Sequence, residues 1–274
     1  MGHKGLCWLP LFLLLALILA PSTGATEEDV YAILYADKTL VFQYGNAPES
    51  GRKVTKTYPV NLNGGVSWSD KASAIKAVVF KDAIQPLSMA YWFNGFSSLE
   101  SIQGLDKVDT SEVTKMYGLF AGCSKFTEMD LRGLDTSSVT DMSNMFDDCS
   151  RLTSLNLSGW DTSSVTHMEC MFYGCSSLTA LDISGWDVSS VTHTEEMFSG
   201  CSSLKTIYAS EYFEAPDDYY MFDGCTSLVG GAGTEYDDSQ YNYIYRLSSS
   251  DYARIDNPPD APGYFTEKKI RPVR

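Results

Sequence analysis

Apolar and polar positions fall into columns along this chain. Val113, Val139, Val165 and Val191 lie 26 residues apart, as do Phe120, Phe146, Phe172 and Phe198. Cys123, Cys149, Cys175 and Cys201 keep the same step, and Cys225 follows after 24. A polar column, Asp109, Asp135, Asp161 and Asp187, runs in phase with them. Upstream lies a degenerate copy with Phe96 at the cysteine position. Self-similarity at a fixed period of this length is the signature of a repeat architecture.

Within one repeat the period changes. Leu152, Leu155 and Leu157 have the L-x-x-L-x-L spacing of a leucine-rich repeat, as do Leu178, Leu181 and Ile183. Strand alternation sends Leu155 and Leu157 one way and Asn156 and Ser158 the other. Val165, Met168, Met171, Phe172 and Cys175 then fall at offsets 0, 3, 6, 7 and 10, which predicts one face of a short helical turn. Asp161 and Ser163 precede that turn, where short polar side chains cap free backbone N–H groups. A single repeat cannot bury its own apolar face, so neighbours must stack. The expected fold is an α/β repeat solenoid, a right-handed coil of leucine-rich-repeat type with one parallel strand and one helical turn per repeat. It is expected over residues 75–228, in about five to six repeats.

The flanks read differently. Leu6 to Ala20 is almost wholly apolar, and Pro21 to Ala25 are small or helix-breaking. This predicts a secretory leader over 1–25, too short in its core for a membrane helix. Residues 26–74 predict a β-rich N-terminal cap. Its hairpin pairs Val30–Tyr35 with Thr39–Gln43 across Ala36-Asp37-Lys38, and Lys53–Val60 is a further strand. Residues 229–274, rich in Gly, Tyr and Asp, are expected to cover the last repeat as an irregular cap and tail.

Charge narrows the partners. With 35 acidic and 20 basic residues the net charge is −15, which opposes binding to nucleic acid. No membrane span is expected in the mature chain. There is no G-x-S-x-G, H-E-x-x-H, C-x-x-C or Walker motif, and the Ser, Asp and Glu residues recur where a catalytic residue is normally singular. The chain is therefore read as non-catalytic and without a cofactor. His167 and His193 share one repeat position, but Lys115 and Asp141 occupy it in earlier repeats, so no metal site is expected there. The Asp column is explained by capping, because Ca²⁺ needs a cage of about 6–8 oxygens. Packing is the default for Trp160 and Trp186, which follow turn glycines. The ladder Cys123, Cys149, Cys175, Cys201 and Cys225 reads as a row of small buried hydrophobes. Cys170 lies off that ladder and is expected to be exposed. Asn156-Leu157-Ser158 is a glycosylation sequon where the machinery exists.

The repeat LTSLNLSGWDTSSVTHMECMFYGCSS (Leu152–Ser177) and its neighbours resemble the BspA-like leucine-rich-repeat surface proteins of bacteria, whose repeat has this length. The resemblance implies a secreted or cell-surface protein that adheres to host or partner proteins. The expected function is binding of a protein or glycan on a host or neighbouring cell surface, through outward strand positions. Those positions are Glu128, Asp130 and Arg132; Ser154, Asn156 and Ser158; and Ala180, Asp182 and Ser184. The competing readings are a spacer or matrix component without a ligand, and an enzyme with its site in a flank. Outward rows that differ between repeats favour binding over a spacer. The ligand, the anchoring and the oligomeric state are not legible in the sequence.

Overall fold

The computed structural model describes residues 30–210, 219–231 and 265–267. The leader (1–25), the last repeat's altered segment over 211–218 and most of the C-terminal cap lie outside the described residues. Among the described residues, ten short strands form three sheets. β1 (Val30–Tyr35) and β2 (Thr39–Tyr44) make an antiparallel hairpin, and β3 (Val54–Pro59) pairs antiparallel with the free side of β1. Lys38 takes a positive φ of 71° at the hairpin loop, where Asp37 accepts the Thr39 N–H at 3.0 Å. β4 (Ala77–Phe80) adds in parallel to β2, and β5 (Ser101–Gln103) adds in parallel to β4. The five-stranded sheet β3-β1-β2-β4-β5 therefore joins the N-terminal hairpin directly to the first repeats.

The repeats stack, but not in the predicted class. Among the described residues there is no α-helix, only 3₁₀ turns at Ser69–Ala74 and Leu105–Lys107. The α/β solenoid with a helical turn per repeat is corrected to a mostly β architecture of mixed sheets and turns. The hydrogen bonds show why. In a helix, every amide would bond four residues back within its own segment. Here the N–H groups of Met142, Asn144, Phe146 and Asp148 donate instead to His167, Glu169, Met171 and Tyr173 of the following rung, at 2.8–3.0 Å. The amides of Met145, Asp147 and Cys149 close three-residue turns onto Met142, Asn144 and Phe146. Asn144 (φ 55°) and Asp148 (φ 53°) are left-handed, as are their equivalents Cys170, Gly174, Glu196 and Gly200. Two left-handed residues in each rung are incompatible with a helix. The apolar offsets that mimic a helical face arise from successive tight turns.

The Asp residues consequently cap no helix. Asp135 Oδ1 accepts the Ser137 N–H at 3.0 Å and its hydroxyl at 2.7 Å, and Asp161 treats Ser163 alike. Such Asx turns shape the corner between strand and turn. Beside them, Thr110, Thr136 and Thr162 are buried and donate to the carbonyls of Asp135, Asp161 and Asp187 one rung on, at 2.8–2.9 Å.

On the strand side, β6 (Glu128–Asp130) pairs in parallel with β7 (Ser154–Asn156). β8 (Ala180–Asp182) pairs with β9 (Thr206–Ala209), and β10 (Phe265–Glu267) adds beside β9. One apolar core runs from Val30 to Leu228. Its axis is a file of phenylalanines: Phe93, Phe120, Phe146, Phe172, Phe198 and Phe222 stack at centroid distances of 5.4–5.8 Å. Phe172 sits in mid-file and is fully buried. Phe172→Ala should destabilise the protein by about 3–5 kcal/mol, because the cavity is shared by two neighbouring rungs and cannot collapse. Urea denaturation followed by circular dichroism checks this.

Candidate binding site

The outward strand positions are where the alternation put them. Glu128 and Asp130 flank buried Met129, Ser154 and Asn156 flank Leu155, and Ala180 and Asp182 flank buried Leu181; all six flanking residues are exposed. Arg132 and Ser158 are exposed, and Ser184 is half-buried. What the sequence did not show is how their polar atoms are committed. Asp130 receives a two-pronged contact from Arg132, at 2.8 and 2.6 Å. Hydrogen bonding from Arg132 lowers the Asp130 pKa, and Asp130 raises that of Arg132. Both are more than half exposed, so the pair adds little stability. Asn156 Oδ1 accepts the Ser158 N–H and hydroxyl, at 3.1 and 2.8 Å, and Asp182 holds Ser184 in the same way at 3.1 and 2.6 Å.

The strand row is interrupted twice, between β5 and β6 and again between β7 and β8. β7 and β8 belong to different sheets, although they occupy consecutive rungs. The same two rungs stay joined elsewhere. Met168, Cys170, Phe172 and Gly174 donate to His193, Glu195, Met197 and Ser199 on the turn side, at 2.8–2.9 Å. Thr162 reaches the Asp187 carbonyl at the far corner. The opening is thus a wedge confined to the strand side. A groove of about 530 Å³ lies there, lined by Asn156, Ser158 and Asp161 from one rung and Asp182, Ser184 and Asp187 from the next. Trp160 and Trp186 line it as well, stacked in parallel with centroids 6.4 Å apart. A smaller hollow of about 220 Å³ adjoins it across Leu155, Leu181 and Tyr208.

The wedge leaves a mark on the tryptophans. Trp160 donates its indole N–H to the Leu131 carbonyl at 3.0 Å, across the paired rungs β6 and β7. Trp186 occupies the equivalent place one rung later, across the unpaired junction. Its Nε1 is buried and has no hydrogen-bond partner. An unsatisfied buried donor costs about 1–3 kcal/mol, and residues that carry such a cost are candidates for function. Hydrogen bonds from Ser163 and Ser189 hold the Asp161 and Asp187 carboxyls below their ordinary pKa, so both are charged at neutral pH.

The turn side has a different chemistry. The five ladder cysteines are buried and unpaired. Each Sγ–H donates to a phenylalanine carbonyl of an adjoining rung, from Cys123 to Phe93 at 3.3 Å through Cys225 to Phe198 at 3.1 Å. Burial raises all five thiols, those of Cys149 and Cys201 to about 12. Cys170 is half-buried, not exposed as expected, because it occupies a left-handed turn position between rungs. Burial, followed by the charges of Glu196, Asp147, Glu169 and Glu195, pushes its thiol up to about 11. His167 and His193 are brought together as parallel rings 4.4 Å apart. Thr166 and Thr192 give their only hydroxyl protons to the Thr140 and Thr166 carbonyls. The same hydroxyls lie 2.8 Å from the two Nδ1 atoms, a contact that an imidazole carrying its proton on Nδ1 satisfies. Among the described residues no group of three or more His, Cys, Asp or Glu is placed to hold a metal ion. None of the described helices is long and apolar enough to cross a membrane.

A family model described as Mycoplasma protein of unknown function, DUF285, matches residues 87–212, a little under half of the chain. No curated protein and no solved structure matches.

Two consequences are measurable. Cys170 should be the first thiol alkylated by iodoacetamide in the native protein, slowly at pH 7. Its rate should climb about tenfold per pH unit until the pH nears 11, as the thiolate fraction grows. Peptide mass spectrometry reads both the order and the slope. Asp147 is raised to about 6 by burial and then by neighbouring Asp148. A carboxyl raised on folding destabilises the folded state once ionised, so the penalty is present above about pH 6 and fades as pH falls towards the unfolded value near 4. Asp147→Asn should raise the melting temperature at pH 8 and leave it unchanged at pH 4.

Proposed function

We propose that this chain is a non-catalytic binding protein that works outside the cell or at its surface and holds a partner macromolecule on its strand face. The observation that carries this reading is the contrast between the two sides of the strand row. The inward positions repeat one kind of residue: Met129, Leu155, Leu181 and Ile207. The outward positions change from rung to rung, as Glu128, Ser154, Ala180 and Thr206, then Asp130, Asn156, Asp182 and Tyr208. A row kept only for spacing needs no such variety, whereas a contact surface uses it for specificity. The turn face offers less, because its amides, thiols and apolar side chains are committed between rungs. The resemblance to BspA-like surface proteins and the apolar leader support an exported, adhesive role.

The test is surface plasmon resonance against a panel of immobilised extracellular-matrix and cell-surface glycoproteins. The triple variant Asp130→Lys, Asn156→Lys, Asp182→Lys should lose at least tenfold in affinity for whichever member the native chain binds. Its circular dichroism should stay native, since exposed substitutions usually cost within about 0.5 kcal/mol each. Normal binding by the triple variant, with loss on replacing His167 and His193 instead, would place the contact on the turn face.

A further inference from the structure

We infer that the wedge between β7 and β8 is a subsite for a neutral oligosaccharide. This rests on the strand face being the binding surface, and it names the ligand class. The groove is lined one rung apart by Asp161 with Asp187, whose carboxylates are acceptors, and by Asn156 with Asp182, where Asn156 offers its amide N–H because Ser158 occupies its Oδ1. No lysine or arginine lines it. It therefore selects a donor-rich ligand and rejects an anionic one. A metal ion does not fit, since no group of three or more candidate ligands converges among the described residues. The adjoining hollow is largely apolar, formed by Leu155, Leu181 and the partly exposed ring of Tyr208. A pyranose has both surfaces that this lining asks for, a rim of hydroxyl donors and an apolar C–H face that packs on an aromatic ring. A basic peptide would satisfy the carboxylates but leave the apolar hollow unused.

Two further observations fit an oligomer seated in the wedge. The lining repeats with the rung, Trp160 and Trp186 lying 6.4 Å apart, so consecutive sugar units meet equivalent groups. Trp186 lines the groove at the junction where strand pairing fails, and its buried indole N–H is unpartnered. A small tilt of the indole would bring that N–H to a ligand hydroxyl in the wedge, which then supplies the acceptor that Leu131 supplies to Trp160. The opening is held ready by the clamps on either side of it, so binding requires no rearrangement of the rungs.

Gly185 provides the test. A Cβ added there meets nothing within 4 Å, and its φ is not left-handed. Gly185→Gln should therefore project into the groove without disturbing the fold. The probes are an array of neutral hexose and N-acetylhexosamine oligosaccharides, with sialylated oligosaccharides and oligolysine peptides on the same surface. The full chain is expected to bind neutral oligosaccharides, Gly185→Gln to bind at least tenfold more weakly with an unchanged melting temperature, and Lys53→Ala, an exposed change in the N-terminal cap, to bind as the native chain does. Failure to bind any neutral oligosaccharide, binding to oligolysine alone, or undiminished binding by Gly185→Gln overturns the inference. Binding to the glycoprotein panel that Asp130→Lys weakens and Gly185→Gln does not would leave the strand-face reading standing and remove only the oligosaccharide. Silence on both panel and array removes both.

Discussion

The structure depends on amides that leave their own rung. In every turn segment from Met89 to Gly200, alternate N–H groups donate to the carbonyls of the next rung instead of closing a helix. That choice holds the rungs at strand spacing. It stacks the phenylalanines face to face and sets each thiol against a carbonyl of a neighbouring rung. Glycine marks how close the backbones come. A Cβ on Gly200 would lie 3.3 Å from the Gly174 backbone, and one on Gly122 would lie 3.4 Å from Gly95. Both positions also have a positive φ, near 72–76°, so glycine answers two demands at once.

Because the turn side and the Thr162 corner are clamped, the strand side can open locally without loosening the stack. The wedge between β7 and β8 is the result. It forgoes strand hydrogen bonds and leaves Trp186 unsatisfied, while the core behind it remains closed through Leu152, Leu157, Leu178 and Ile183. Rigid surroundings with an under-satisfied indole at the opening suit the proposed binding role better than a spacer, whose rungs would have no reason to differ.

Chemistry is divided between the faces. The turn side carries the titratable thiols and the stacked imidazoles, yet its groups are engaged with one another: imidazole Nδ1 with threonine, S–H with carbonyl, Asp141 with Ser143. The strand side carries carboxylates anchored by serines and one exposed ion pair. Its acceptors face outward, and their charge at neutral pH follows from hydrogen bonds that favour the ionised form.

The sequence alone determined the repeat, its phase, which residues face inward and which outward along the strands, and the acidic character of the surface. These follow from composition and from strand alternation, which are local properties. It misjudged the turn segment, because apolar offsets of 0, 3, 6, 7 and 10 are produced equally by a helix and by consecutive tight turns with left-handed residues at Asn144 and Asp148. Only the tertiary structure decides between them, since the deciding hydrogen bonds run to a chain segment 25 residues away. The same holds for Cys170, whose exposure depends on the neighbouring rungs, and for His167 and His193, whose rings stack because their two rungs pair there. The groove was illegible for a related reason. The rungs around β7 and β8 share nearly the same text, and only their packing in three dimensions shows that these strands part while β6 and β7, and β8 and β9, stay paired.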